Sequence, residues 1–355
     1  MGRFDYVRYY CVALGYTLIG YSPIININDP LEVLGPLKVG KTRIEVPFMY
    51  TDTSYDDDYE YELKLDAKVY EPLGKFPDAL VLFMPGFGAD YESYEDLLLH
   101  LASHGFVTVG LNFLSNRNIF DGGHDIKAQE ALATIAFVQS SEFYPEYKRL
   151  PVYTAGHSMG GKIAFYAAAL SPKTISGVMA LDPVNAGGPP CSRFSNACLQ
   201  YPVAPNPETG QLGNLANLSK GNISSLIFRS QPDRLANPDR QFNAEHFYFG
   251  LNGKGSYATP LPVWYYDMGA FPHALYCNTL VTQQSQIVKR TMLAFLQQQV
   301  LGVNVGDYLT GSIIQKDIDE GRLLEVRAKL KLTSTLVADG EDYEFVYNSV
   351  NGTST

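Results

Sequence analysis

The stretch Ala155-Gly156-His157-Ser158-Met159-Gly160-Gly161 decides how this chain is read. It follows the short apolar run Val152–Ala155 and opens the alanine-rich segment Gly160–Leu170. A G-x-S-x-G pattern between a strand and a helix is a nucleophile elbow, a sharp turn that carries serine at its tip. The chemistry explains the glycines. A serine hydroxyl is a weak nucleophile and must stand exposed beside a base. The turn that exposes it crowds the backbone, so the positions two before and two after the serine need residues without side chains. The same turn sets the N–H of Met159 at the positive end of the following helix, where it can stabilise an oxyanion. Five letters alone recur by chance. The strand before and the helix after are what make the pattern specific.

The flanking sequence repeats the strand–helix rhythm. Upstream, Ala79–Met84 is wholly apolar, as expected of a strand covered on both faces. Tyr91–His104 places Tyr94, Leu97, Leu98, Leu101 and Ala102 at helical spacing, and Gly105 stops it. Phe106–Leu111 is the next strand and His124–Val138 the next helix. Downstream come a strand at Ile175–Leu181, a strand at Ser225–Ser230, a helix near Asp239–Gly250, a strand at Pro262–Asp267 and a closing helix at Thr282–Leu301. Such alternation predicts a mostly parallel sheet with helices on both faces. Ahead of it, Arg43–Tyr50 and Glu60–Tyr70 alternate and read as an antiparallel pair. Residues 183–223 are rich in Pro, Gly and Asn and predict a long loop, a usual place for lids and binding segments. The organisation expected is an irregular segment over 1–40, a catalytic α/β domain over 41–302, and an extension over 303–355. That extension carries a β-hairpin signal: a strand at Lys329–Val337, the turn Asp339-Gly340, and Tyr343–Tyr347.

The other members of a hydrolytic site can be sought by position. A second oxyanion donor belongs in the loop after an earlier strand; Met84-Pro85-Gly86-Phe87-Gly88 fits, with the N–H of Phe87 as the candidate. The base is a histidine that follows the serine and the acid in chain order. Of the six histidines this leaves His246, inside an expected helix, and His273, in a loop just past the strand Pro262–Asp267; His273 is favoured. The acid has two candidates, each at the end of a strand: Asp182 after Ile175–Leu181 and Asp233 after Ser225–Ser230. Either could hold the imidazole in the right tautomer. Position alone favours Asp233, because the acid usually follows the later strand.

Composition narrows the function classes. The 355 residues are 46% hydrophobic and only 18% charged, enough to bury a large core and unlike a disordered chain. A net charge of −10 argues against nucleic acid as a partner, since such binders need a basic face. No run reaches the ~18 apolar residues of a transmembrane helix. Arg3 and Arg8 ahead of a mildly apolar run from Tyr9 to Tyr21 have the outline of an export signal without its cleavage site, so export or organelle targeting stays open. If the chain is exported, Cys191 and Cys198 could pair in their loop. Gly35-Pro36-Leu37-Lys38-Val39-Gly40-Lys41-Thr42 matches the phosphate-binding G-x-x-x-x-G-K-T pattern, but a strand-like stretch follows where a helix is required. His100 and His104 stand four apart, as in zinc-binding helices, but Leu101 occupies the place of the glutamate. No metal and no organic cofactor is expected.

Val81–Asn112, Gly156–Gly161 and Leu181-Asp182-Pro183-Val184 together resemble chlorophyllases and the related cutinase-like and platelet-activating-factor acetylhydrolase-like esterases. Tyr266-Asp267-Met268-Gly269-Ala270-Phe271-Pro272-His273 looks like their late strand and histidine loop. The resemblance covers roughly residues 75 to 300. It implies an α/β-hydrolase fold and a serine carboxylic-ester hydrolase acting on a hydrophobic ester, chlorophyll being the sharpest choice. In chlorophyllases the acid lies in an L/I/V-D-P-V segment, which implies Asp182. The departures concern the substrate: Met159 stands where plant chlorophyllases usually carry Arg, as in cutinase-like polyesterases, and residues 183–223 are long. A general esterase, a lipase or a polyesterase therefore stays as the alternative. Further off stand an acyltransferase using the same residues and a scaffold that has lost catalysis.

Overall fold

The computed structural model describes residues 29–52, 59–113, 123–140, 144–185, 203, 214–230, 244–251, 261–269, 271–277, 282–331 and 342–348. Ten strands form one sheet: β1 (Val39–Asp52), β2 (Tyr59–Pro72), β3 (Leu80–Met84), β4 (Val107–Asn112), β5 (Val152–His157), β6 (Ile175–Leu181), β7 (Ser224–Arg229), β8 (Val263–Asp267), β9 (Glu325–Lys331) and β10 (Asp342–Asn348). Their order is β1-β2-β4-β3-β5-β6-β7-β8-β9-β10. The six strands from β4 to β8 run parallel, while β1 and β2 at one edge and β9 and β10 at the other are antiparallel. The expected α/β-hydrolase sheet is thus present.

Period-two alternation along the buried strands feeds two cores at once. On β3, Leu80, Leu82 and Met84 face one layer, while Val81 and Phe83 face the other. The first layer holds α2 (His124–Val138), α3 (Met159–Leu170) and α4 (Ala244–Leu251), whose Ala128, Ile135, Ile163, Ala167 and Phe247 pack there. The second holds α1 (Glu95–Ser103), α5 (Gln283–Leu301) and α6 (Ser312–Asp319) through Leu98, Leu101, Met292, Phe295 and Ile318. Wholly apolar strands are the sequence form of this double coverage.

Several local details differ from the sequence reading. The expected helix Tyr91–His104 starts as a 3₁₀ turn, Tyr91–Tyr94, capped by Asp90 Oδ1 on Ser93 N at 3.0 Å, and only then becomes α1. Thr282 is the N-cap of α5 rather than its first residue, in a reciprocal capping box with Ser285. Part of the expected loop 183–223 is ordered as a 3₁₀ helix, Asn214–Lys220, with Leu215 and Leu218 in the core. The hairpin signal near the C-terminus corresponds to β9 and β10, but β9 begins at Glu325 and pairs with β8, so it extends the main sheet. Helix α6 carried no periodicity long enough to be read. The Asp339-Gly340 turn, Cys11, Cys191 and Cys198 lie outside the described residues.

A buried ionic cluster ties the sequence-distant parts together. Arg290 of α5 reaches Glu32 at 2.7 Å and also Asp317 of α6, which Arg322 approaches at 2.5 Å. Buried charges persist only when paired in this way. Val39–Thr42, the second half of the phosphate-loop lookalike, lies in strand β1, so no helix N-terminus faces a phosphate there. His100 is buried, its pKa pushed down to about 3 by loss of water, and His104 bonds the carbonyl of Val33 at 3.0 Å; both serve packing.

Candidate active site

Strand β5 ends at His157, and Ser158 turns the chain into α3 with φ 56° and ψ −118°. A non-glycine residue in that region is strained and persists only where its surroundings hold it. The holding contacts are Ser158 N to Leu181 O at 2.9 Å and Val184 N to Ser158 O at 3.2 Å. The glycine requirement at the elbow is steric. A Cβ on Gly160 would strike the carbonyl oxygens of Met84 and Pro85, and one on Gly156 would strike the backbone of Gly160. Strands β3 and β5 therefore close tightly on the first turn of α3. Ser158 itself is half-buried, open enough for a substrate. The N–H of Met159, in the first turn of α3, is among the helix groups that lack an intrahelical partner.

Two of the other expected residues meet at the carboxyl ends of β6 and β8, the strands on either side of β7. Asp182 follows β6 and adopts φ 45°, with its N–H bonded to Phe228 O at 2.8 Å. Its Oδ2 lies 2.5 Å from His273 Nδ1, and both residues are buried. His273 opens a short 3₁₀ turn, His273–Tyr276, beyond β8. The loop that carries it is anchored at Asp267, which accepts from Gly269 N at 2.9 Å and pairs with Arg229 at 2.5 Å. His246 sits on α4, and it is His273 that meets Asp182. Asp233, the other acid candidate, lies outside the described residues.

The loop after β3 approaches the elbow from the far side. A Cβ placed on Gly86 would be 3.0 Å from His157 Nδ1 and 3.4 Å from Ser158 Cβ, so the two segments are in contact. Ala89 N bonds Gly86 O at 3.1 Å across a turn in which Gly88 has φ 71°; Phe87 stands at its crest, half-buried. Phe271 and Tyr276 pack edge to face at 4.9 Å beside His157 and His273. The sequence reading missed Tyr94, His157 and Cys277. Tyr94 passed as one apolar position of a helix stripe, and no local pattern distinguishes it.

Burial perturbs the protonation of His157 and Lys162 beside the elbow. His157 is held neutral, its pKa driven well down by burial and then by the neighbouring His273. Lys162 is fully buried in α3, where burial pushes its pKa down to about 7; its Nζ donates to Asn185 O at 3.0 Å. The unfolded chain, with the ordinary value of 10.5, binds more protons between about pH 7 and 10.5. Stability should therefore rise with pH through that window, by up to about 1.4 kcal/mol per unit from this one group. The expected result is that Lys162→Met gains most over the parent at pH 7 and less at pH 9, read from urea midpoints at both. A difference independent of pH would mean that Lys162 stays charged in the fold.

Comparison with known proteins fits this arrangement. Residues 68–206 match the Chlorophyllase family. Over that region the chain is similar to chlorophyllases, and its sheet is that of an α/β hydrolase. The matched region runs from β2 past the elbow and Asp182, and stops short of His273. Over 193 residues the chain is also 25% identical to a monoglyceride lipase homolog of Monkeypox virus. That alignment takes in 52% of this chain and 64% of the viral protein, so just under two thirds of the relative's length is spanned. Among the described residues, no helix is long and apolar enough to cross a membrane, and no three His, Cys, Asp or Glu side chains gather as a metal site would require.

Proposed function

We propose that this protein is a serine carboxylic-ester hydrolase that works through an acyl-enzyme. The observation that carries the reading is the buried contact of His273 Nδ1 with Asp182 Oδ2 at 2.5 Å, next to an elbow that leaves Ser158 reachable. In this reading Asp182 accepts a hydrogen bond from Nδ1–H, which keeps the proton on Nδ1 and leaves Nε2 as the free base. Ser158 Oγ attacks the ester carbonyl carbon as Nε2 takes its proton. The tetrahedral oxyanion is met by the N–H groups of Met159 and Phe87. Collapse breaks the acyl C–O bond, and His273 returns the proton to the departing alcohol. Water, activated by His273, then releases the acid and restores the serine. Residues 41–302 would form the catalytic unit, with 303–355 as an extension that continues its sheet.

The substrate proposed is an ester with a large apolar part. The aromatic rings of Phe87, Phe271 and Tyr276 near the elbow support this, as does the family match. A phytyl ester of the chlorophyll type is the first choice. A monoacylglycerol is the second, favoured by the viral relative. The test is a panel: chlorophyllide release from chlorophyll a, fatty-acid release from a monoacylglycerol, and turnover of p-nitrophenyl butyrate. Each is run with and without an added alcohol, alongside fluorophosphonate labelling. Chlorophyllide formation with label on Ser158 is the expected result. Monoacylglycerol or butyrate turnover without chlorophyllide keeps the esterase and removes the chlorophyll reading. Ester formation with the added alcohol in place of acid release indicates an acyltransferase. Neither turnover nor label would overturn the catalytic reading in favour of a scaffold.

A further inference from the structure

One buried hydroxyl touches three of the segments that build the proposed site. Tyr94 Oη accepts the backbone N–H of Gly86 at 3.1 Å, from the loop that carries Phe87. It lies 2.7 Å from Nδ1 of His157, the residue immediately before the nucleophile. It also receives the thiol of Cys277 at 3.6 Å, from the segment that follows His273. A phenol oxygen has two acceptor sites and one proton. With Gly86 N–H and Cys277 S–H donating to it, the proton goes to His157 Nδ1, which leaves the His157 proton on Nε2. The rings reinforce the polar contacts. Tyr94 packs on Phe83 of β3 at 4.7 Å, and His157 lies 4.5 Å from the ring of His273. Tyr94, His157 and Cys277 are all buried. Nothing in the acyl-transfer steps uses Tyr94, and a buried Phe would fill the same volume.

We propose that the Tyr94 hydroxyl is a positioning group that holds the oxyanion loop at Gly86–Phe87 in register with the Ser158 elbow and the His273 loop. The inference rests on the esterase reading above. Holding the Gly86 N–H against Tyr94 fixes the Pro85–Gly86 peptide and with it the position of Gly86 Cα, while the bond from Ala89 N to Gly86 O holds the next peptide plane, from which the Phe87 N–H projects. An oxyanion donor acts through placement within a few tenths of an ångström, so loss of the anchor should weaken binding of the transition state and spare binding of the substrate. The role differs from structural support because it predicts how kinetic effects divide.

The test is Tyr94→Phe, assayed on whichever ester the wild type turns over, with the affinity of a trifluoromethyl ketone that mimics the tetrahedral adduct measured in parallel. The expected result is a kcat lower by about 10- to 100-fold with KM within about twofold, a range below that for outright loss of a donor. The ketone's inhibition constant should rise by the same factor as kcat/KM falls. A folded Tyr94→Phe with unchanged kcat overturns the proposal. So does a fall in kcat/KM that leaves the ketone's affinity intact. If Tyr94→Phe does not fold, His157→Leu removes the acceptor while keeping the hydroxyl. The same comparison then applies, with a parallel loss of kcat/KM and ketone affinity in support and unchanged values against. A wild type that neither turns over an ester nor takes up a fluorophosphonate fails the esterase reading instead, which keeps the two outcomes apart.

Discussion

Ser158→Ala is expected to lower kcat by about 10⁶ on any ester the protein hydrolyses, with KM changed by no more than a few-fold, and to abolish fluorophosphonate labelling. The size follows from the kind of catalysis. Without the hydroxyl no acyl-enzyme forms, and His273 and Asp182 are left with no nucleophile to serve. Substrate binding is untouched, because alanine occupies less space at a half-buried position. Stability should hold or rise slightly. The strain at φ 56° belongs to the backbone and persists with alanine, while the two bonds that hold the turn are made by the main chain. Steady-state kinetics, intact-protein mass after labelling, and a thermal melt together check all three statements. A loss below about tenfold would show that another residue carries the acyl group.

The fold was legible because its signals are local and numerous. Ala79–Met84 is a continuous apolar run of strand length, and Ile175–Leu181 and Pro262–Asp267 are largely apolar, as expected of strands buried on both faces. Helix α2 occupies the span of about His124 to Val138 expected from Ala128, Ala131, Leu132 and Ile135 on one face. What failed had no local signal. The initial 3₁₀ turn at Tyr91–Tyr94 depends on the Asp90 cap and presents the same apolar spacing as an α-helix. Helix α6 has eight residues, too few for a period to register, and it is held by the ionic cluster of Arg290, Asp317 and Arg322. The addition of β9 beside β8 is a pairing between segments some sixty residues apart, and no short window contains it.

The candidate site divides the same way. The elbow was readable because its steric demand is written in glycines, and the closeness of Gly160 to the Met84 carbonyl is that demand in three dimensions. Tyr94 was unreadable because its part depends on a hydroxyl meeting Gly86, His157 and Cys277, separated from it by 8, 63 and 183 positions. A tyrosine in an apolar stripe looks the same whether its oxygen is a hub or merely reaches water. The acid stayed ambiguous for a related reason. β6 and β7 are adjacent parallel strands, so the residues just past both ends project over the same rim of the sheet.

Asp182→Asn and Asp233→Asn are accordingly expected to separate widely. The amide at position 182 has nearly the shape of the carboxylate, so the fold and KM should hold. What changes is the proton on the imidazole. A carboxylate accepts from Nδ1–H and leaves Nε2 free as the base, whereas an amide can present its NH₂ to Nδ1 and drive the proton onto Nε2, facing the serine. The histidine then cannot take the Ser158 proton, a change expected to lower kcat by about 10⁴. The cost is fixed by chemistry, because Asp182 Oδ2 is the atom within 2.5 Å of His273 Nδ1. Asp233→Asn should leave kcat within about threefold. The pH profile gives an independent check. In Asp182→Asn the residual rate should climb toward high pH, where hydroxide can replace the histidine as base, while Asp233→Asn keeps the profile of the parent. If instead Asp233→Asn lost the larger factor, the buried Asp182–His273 contact would be a resting arrangement, and the histidine would have to move to the later strand's acid in order to work. The strained φ of 45° at Asp182 argues against that. A non-glycine residue held there by Phe228 O has been placed by its neighbours, and its carboxylate already points at the imidazole it would have to orient.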